Sequence, residues 1–153
     1  MTEELLDNLK KQLRISDNDF DEQLRICVSA ALTAAESSTG IHIQQETLSW
    51  DLPFEEEMDL PEFPADIQSV KLDGKQLSED QYVSDGLHLY LAEGLSGLHV
   101  TVTVKVGYQT LPDDIRMAVL LAAARYFTNP VDSVENLPKA SENLLRPYRR
   151  YNV

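Results

Sequence analysis

Apolar residues recur at helical spacing at both ends of this chain and at strand spacing between them. That order constrains the fold more than any bulk property. Leu5, Leu6, Leu9 and Leu13 mark one face of a helix over Met1–Leu13. Thr2 is placed to cap it, with Glu3 and Glu4 in the first turn and Lys10, Lys11 and Arg14 near the end, as the helix dipole favours. Ser16-Asp17-Asn18-Asp19 breaks and restarts the chain, with Ser16 or Asp17 as the next cap. A longer helix over 18–39 then carries Phe20, Leu24, Cys27, Val28, Ala31, Ala34 and Ala35 along one face and stops at Gly40. Near the other end, Pro112 opens a third helix. Its stripe of Ile115, Ala118, Val119, Ala122, Ala123 and Phe127 is widened by Leu120, Leu121 and Tyr126, which predicts a central, nearly surrounded helix. Pro138 opens a last helix through Leu145, and Pro147 limits it.

The middle alternates with period two. Ile67–Leu72 runs into Asp73-Gly74, a tight-hairpin signal. Leu87–Leu91 and Leu98–Val106 alternate cleanly around a turn at Glu93–Gly97. Pairing these two strands apolar to apolar sets Leu89 opposite Val100, Leu87 opposite Val102 and Leu91 opposite Leu98, giving a one-sided sheet whose apolar face rests on the helices. The expected fold is mainly α with a small antiparallel β insertion: a compact bundle of about four helices plus β-hairpins. It forms a single domain over 1–153, helical at 1–40 and 111–150 and β-rich at 46–108.

A chain of 153 residues, 42% hydrophobic and 25% charged, is long enough for one real core. One cysteine, Cys27, allows no internal disulfide, and its place in the apolar stripe reads as a small buried hydrophobe. No signal-like or membrane-spanning run appears, so the expectation is a soluble, cytoplasmic protein without membrane contact. The net charge of −13 disfavours direct binding to DNA. Charge is also uneven. Asp51–Asp66 holds seven acids and no base, whereas Arg146, Arg149 and Arg150 cluster near the end.

Catalytic patterns are missing. No histidine follows a motif that presents a nucleophile, and no glycine-rich phosphate loop occurs. His88 and His99 fall on one polar sheet face in the expected pairing, but no third ligand stands at zinc-site spacing. The acids Glu55–Glu57 read as a solvated loop. The expectation is a non-enzyme with no catalytic residue, no metal and no cofactor.

Several short segments, taken in order, carry a family resemblance. Leu9-Lys10-Lys11-Gln12-Leu13-Arg14-Ile15 precedes an Asp-rich restart and a long helix ending Glu36-Ser37-Ser38-Thr39-Gly40. Gly107-Tyr108, Leu111-Pro112, an Ala- and Leu-rich helix with late aromatics, and Leu144-Leu145-Arg146-Pro147-Tyr148-Arg149 follow. Together they resemble the head–tail connector (head-completion adaptor) proteins of tailed phages, whether phage or prophage encoded. One departure is Thr128-Asn129-Pro130, where the family usually has an Asn-Arg pair.

The resemblance implies a structural protein forming a homo-oligomeric ring beneath the portal. The ring extends the DNA channel and docks the next head-completion or tail protein, while DNA passes without specific binding. It implies assembly in the host cytoplasm and residence at the head–tail junction of the virion. Candidate interface residues are Arg146, Tyr148, Arg149, Arg150 and Tyr151, with the small-residue face of the second helix as another contact. Candidate channel-facing acids are Glu55, Glu56, Glu57 and Asp59. The alternatives are an acidic, DNA-mimic-like interaction module without catalysis and a hydrolase built on scattered acids, which no motif supports.

Overall fold

The computed structural model describes residues 1–129 and 137–150. The chain forms two compact units, one from Met1–Ile43 with Thr110–Val153 and one from Gln44–Gln109.

The first unit is helical: α1 (Thr2–Leu13), α2 (Asp21–Thr39), α3 (Asp113–Thr128) and α4 (Lys139–Leu145), followed by a 3-10 turn at Arg146–Tyr148. In α1 the leucine stripe buries Leu5, Leu6 and Leu9. Each such side chain contributes about 1.5–3 kcal/mol by leaving water. Lys10 Nζ lies 2.7 Å from both Asp21 Oδ1 and Asn18 Oδ1, tying the end of α1 to the start of α2. Neither expected N-cap forms. Met1 and Phe20 occupy the cap positions without side-chain bonds. The Asp17 carboxylate instead accepts the Asp19 N–H within the connecting turn. Gly40 ends α2 at φ 70°, as its sequence position predicts. α3 packs against α1, α2 and α4, and α2 likewise packs against the other three helices. α4 is too short to persist alone. It is fastened by buried Leu145 and by the Ser141 hydroxyl, which donates to the Ala118 carbonyl at 2.8 Å.

The second unit holds two antiparallel sheets. Its strands are β1 (Glu46–Pro53), β2 (Glu57–Asp59), β3 (Ala65–Leu72), β4 (Lys75–Gln76), β5 (Tyr82–Ser84), β6 (His88–Leu91) and β7 (His99–Val106). One sheet runs β1-β7-β3-β4 and the other β2-β6-β5. Asp73 (φ 46°) and Gly74 (φ 83°) both sit in the left-handed region, as a tight hairpin between β3 and β4 requires. Asp73 also caps the start of β7. Its carboxylate accepts the N–H groups of Leu98 and His99, and these bonds hold its pKa below the usual range.

Two expectations are corrected here. β6 and β7 do not pair with each other. β7 lies between β1 and β3, with Leu52 and Leu72 opposite Val100, while β6 lies between β2 and β5. The Glu93–Gly97 turn carries the chain from one sheet to the other, and the apolar faces meet across the gap. Val70, Val100, Val102, Val104 and Val106 share one buried cluster with Met58, Leu89 and Leu91. The sheet therefore covers another sheet with its apolar face, and Leu98, expected inside, is 76% exposed.

The fold class changes with it. Among the described residues 42% are helical and 25% lie in strands. The protein is mixed α/β, not a mainly α bundle with a small β insertion. Of the acids Glu55–Glu57 read as a solvated loop, Glu55 and Glu56 lie outside any strand, whereas Glu57 opens β2.

Candidate functional site

The basic tip is built at the end of the helical unit. After α4, the 3-10 turn places Tyr148 half-buried and leaves Arg146 and Arg149 exposed. The chain then returns to α2, where the Arg150 N–H donates to the Thr39 carbonyl at 2.7 Å. That bond satisfies one of the carbonyls left open at the end of α2. Glu36 and Thr39 shape the same exit: Glu36 Oε1 accepts the Ile43 N–H at 2.8 Å, and the Thr39 hydroxyl donates to the Ala35 carbonyl at 2.7 Å. The Glu36…Thr39-Gly40 sequence thus fixes how the chain leaves α2 and where the tip is anchored. Tyr151 lies outside the described residues.

The acids belong to the β unit. Glu55 and Glu56 precede β2, and Glu57 and Asp59 flank buried Met58 within it, so strand alternation turns both outward. Cross-strand register sets Glu57 beside Tyr90 and Asp59 beside His88. His88 stands between two carboxylates, with Nδ1 3.0 Å from Asp85 Oδ2 and Nε2 3.3 Å from Asp59 Oδ1. The bond to Asp85 and the nearby acids raise the His88 pKa. Bonds from the His88 side chain and from the His88 and Leu87 backbone lower Asp85 to about 2. Sequence reading missed this chain of groups, because the pairing of β6 with β2 joins segments some thirty residues apart. His99 lies on the other sheet, so the two histidines expected to be neighbours are not. Among the described residues, no group of three or more His, Cys, Asp or Glu side chains is placed to hold a metal ion.

On the outer side of α2, Ile26, Ala30, Thr33 and Ala34, with Tyr126 of α3, line a groove of ≈ 600 Å³. Ile26 is 64% exposed, whereas Ala31 and Ala35 are buried. The small-residue face is thus divided between core and surface. Cys27 lies at the groove floor, and burial raises its thiol pKa.

The profile described as "Phage gp6-like head-tail connector protein" matches residues 3–73. The match places that span in the phage head–tail connector family. This connector span includes α1, the α2 exit at Glu36–Gly40, β1, the acids and β2; it stops at Asp73. Gly107-Tyr108, Leu111-Pro112 and the basic tip fall outside it. Solved structures extend the likeness. A chain from the neck of an empty gene transfer agent particle, computed with C6 symmetry, is 20% identical at a TM-score of 0.74, covering 97% of this chain and 90% of that one. A chain from the virion of the native gene transfer agent particle is 21% identical at 0.72, covering 99% and 90%. A chain from the neck of the native particle, computed with C12 symmetry, is 19% identical at 0.67, covering 94% and 89%. At these identities the likeness is one of fold. No curated protein sequence matches the chain. Among the described residues, no helix is long and apolar enough to cross a membrane.

Proposed function

We propose that this chain is a structural subunit of a phage-type head–tail connector, a particle component with no catalytic role. The observation that carries the reading is the agreement of two comparisons: a connector profile over residues 3–73 and a fold shared with particle-neck proteins over 97% of the chain. The chain assembles into a homo-oligomeric ring beneath the portal, its helical and β units working as a single connector domain. The ring extends the DNA channel and presents a platform to the next head-completion or tail protein. Assembly takes place in the host cytoplasm, and the finished ring stays at the head–tail junction.

The geometry supports a division of labour. The tip offers Arg146, Tyr148 and Arg149 from a segment pinned at Thr39 and Ser141, and residues of these types dominate interface energetics when they become buried. Glu55, Glu56, Glu57 and Asp59 face the channel, where exposed carboxylates repel phosphates and let DNA slide. Deleting the gene in its phage or prophage and imaging the particles tests the reading. Filled or leaking heads without tails are expected; normal tailed particles would remove the proposal. For the tip, Arg146→Glu with Arg149→Glu keeps the Arg150 anchor and is expected to abolish portal docking in a pull-down, whereas undiminished docking refutes that assignment.

A further inference from the structure

His88 stands in a row of three side chains across the outer face of the β2-β6-β5 sheet. Asp59, from β2, lies on one side, its Oδ1 3.3 Å from Nε2. Asp85, from the turn between β5 and β6, lies on the other, its Oδ2 3.0 Å from Nδ1. The other titratable groups facing the ring are Glu57 of β2 and Tyr90 of β6, whose ring centroid is 6.0 Å away. From β5, the Ser84 hydroxyl donates to the His88 carbonyl and leaves the imidazole to the carboxylates.

The two carboxylates are not held alike. Asp85 is fixed by backbone: its Oδ1 accepts the N–H groups of Leu87 and His88 at 2.8 and 2.7 Å. The Asp59 side chain is 82% exposed. β2 is three residues long and has β6 as its one strand neighbour among the described residues. The Leu91 N–H donates to the Glu56 carbonyl at 2.9 Å, and the Leu60 N–H to the Leu87 carbonyl at 2.8 Å. Ladder bonds in this pair therefore fall at alternate positions, and Asp59 and His88 form a non-hydrogen-bonded pair. Opposing side chains come closest at such a position, and there they are the link between the strands.

Proton count decides what His88 can do in that row. An imidazolium carries two N–H groups and serves both carboxylates; a neutral imidazole carries one. Because Asp85 is fixed, the neutral ring keeps its proton on Nδ1, and Nε2 turns a lone pair toward Asp59. We infer that His88 is a pH-operated latch on β2: the protonated ring ties this edge strand to β6 through Asp59, and loss of the Nε2 proton releases that tie while the Asp85 bond remains. The raised pKa of His88, caused first by the bond to Asp85 and then by the surrounding acids, agrees with a charged ring. The latch is closed below the folded His88 pKa and opens as pH rises through it. Met58 and Leu60 are buried and hold β2 in both states, so the response is graded. An exposed ion pair of this kind supports a change in strand opening of about two- to fivefold. If Glu57 and Asp59 face a channel, the latch sets how firmly they are presented; the latch itself does not rest on that reading.

Amide hydrogen exchange of the full chain, followed by NMR from about pH 5 to 9 and corrected for the intrinsic pH dependence of exchange, tests the inference. The Leu60 and Leu91 amides, which bridge β2 and its neighbour, are expected to exchange about two- to fivefold faster above the His88 midpoint than below it. The Leu77 amide, which donates to the Val70 carbonyl of the other sheet, is the control and is expected to stay level. Asp59→Asn and His88→Gln are each expected to remove the step, and Asp59→Asn also to lower the His88 midpoint. A wild type with no step at Leu60 and Leu91, an equal step at Leu77, or a step that survives Asp59→Asn would overturn the inference.

Discussion

Gly107 shows how one residue can be required by geometry. It sits at φ 84°, and a Cβ there would overlap the Gln44 carbonyl where the chain enters and leaves the β unit. Gly107→Ala is expected to destabilise by more than about 2 kcal/mol in urea unfolding, since left-handed strain adds to backbone overlap. Gly74→Ala, with open space around it, should cost only about 1 kcal/mol. His88 and Asp85 make a pH prediction. The His88 pKa is raised above 6.5, so its contribution to stability is complete below that pH and is lost as pH rises through the higher folded value. Asp85 is lowered from 3.8 to about 2, so its contribution is present above pH 3.8 and is lost as pH falls toward 2. Their pair is therefore strongest between those limits. A titration followed by NMR should place the His88 midpoint above that of a free histidine, and Asp85→Asn should move it down. An unshifted midpoint would count against the contact. None of this was legible in the sequence, where His88 reads as one polar position of an alternating strand.

At the scale of elements, the helices were read well because their signals are local. The leucine stripe of α1, the Gly40 stop of α2 and Pro112 before α3 each act within a turn or two. The Asp73-Gly74 turn was legible for the same reason. The β6–β7 pairing was misread because alternating apolar strands can bury their faces in two ways, edge to edge in one sheet or face to face across two. The choice was made by β1 and β3, which claim both sides of β7. Two substitutions separate the alternatives. Leu89→Ala should cost about 2–5 kcal/mol, because Leu89 is fully buried between the sheets. Leu98→Ser should change stability by less than about 0.5 kcal/mol, because Leu98 is 76% exposed; in a β6–β7 hairpin it would be a core residue. In the helical unit, Ser141→Ala removes the bond to Ala118 and should cost about 1 kcal/mol.

At the scale of the whole molecule, the charge of −13 makes the folded state repel itself. Adding salt from low ionic strength should raise the thermal midpoint, and a flat response would mean that the acids are already too well separated to interact. The sequence by itself determined the helices, the tight turn, the sign and uneven distribution of charge, and the order of motifs that resembles a head–tail connector. These depend on residues close together in the chain, or on simple sums over it. The tertiary structure alone decided that the middle of the chain forms two sheets with a shared core, that Asp59 stands beside His88, and that the basic tip is pinned to Thr39. Each of these joins residues distant in sequence, and local pattern carries no information about which of several compatible apolar faces will meet.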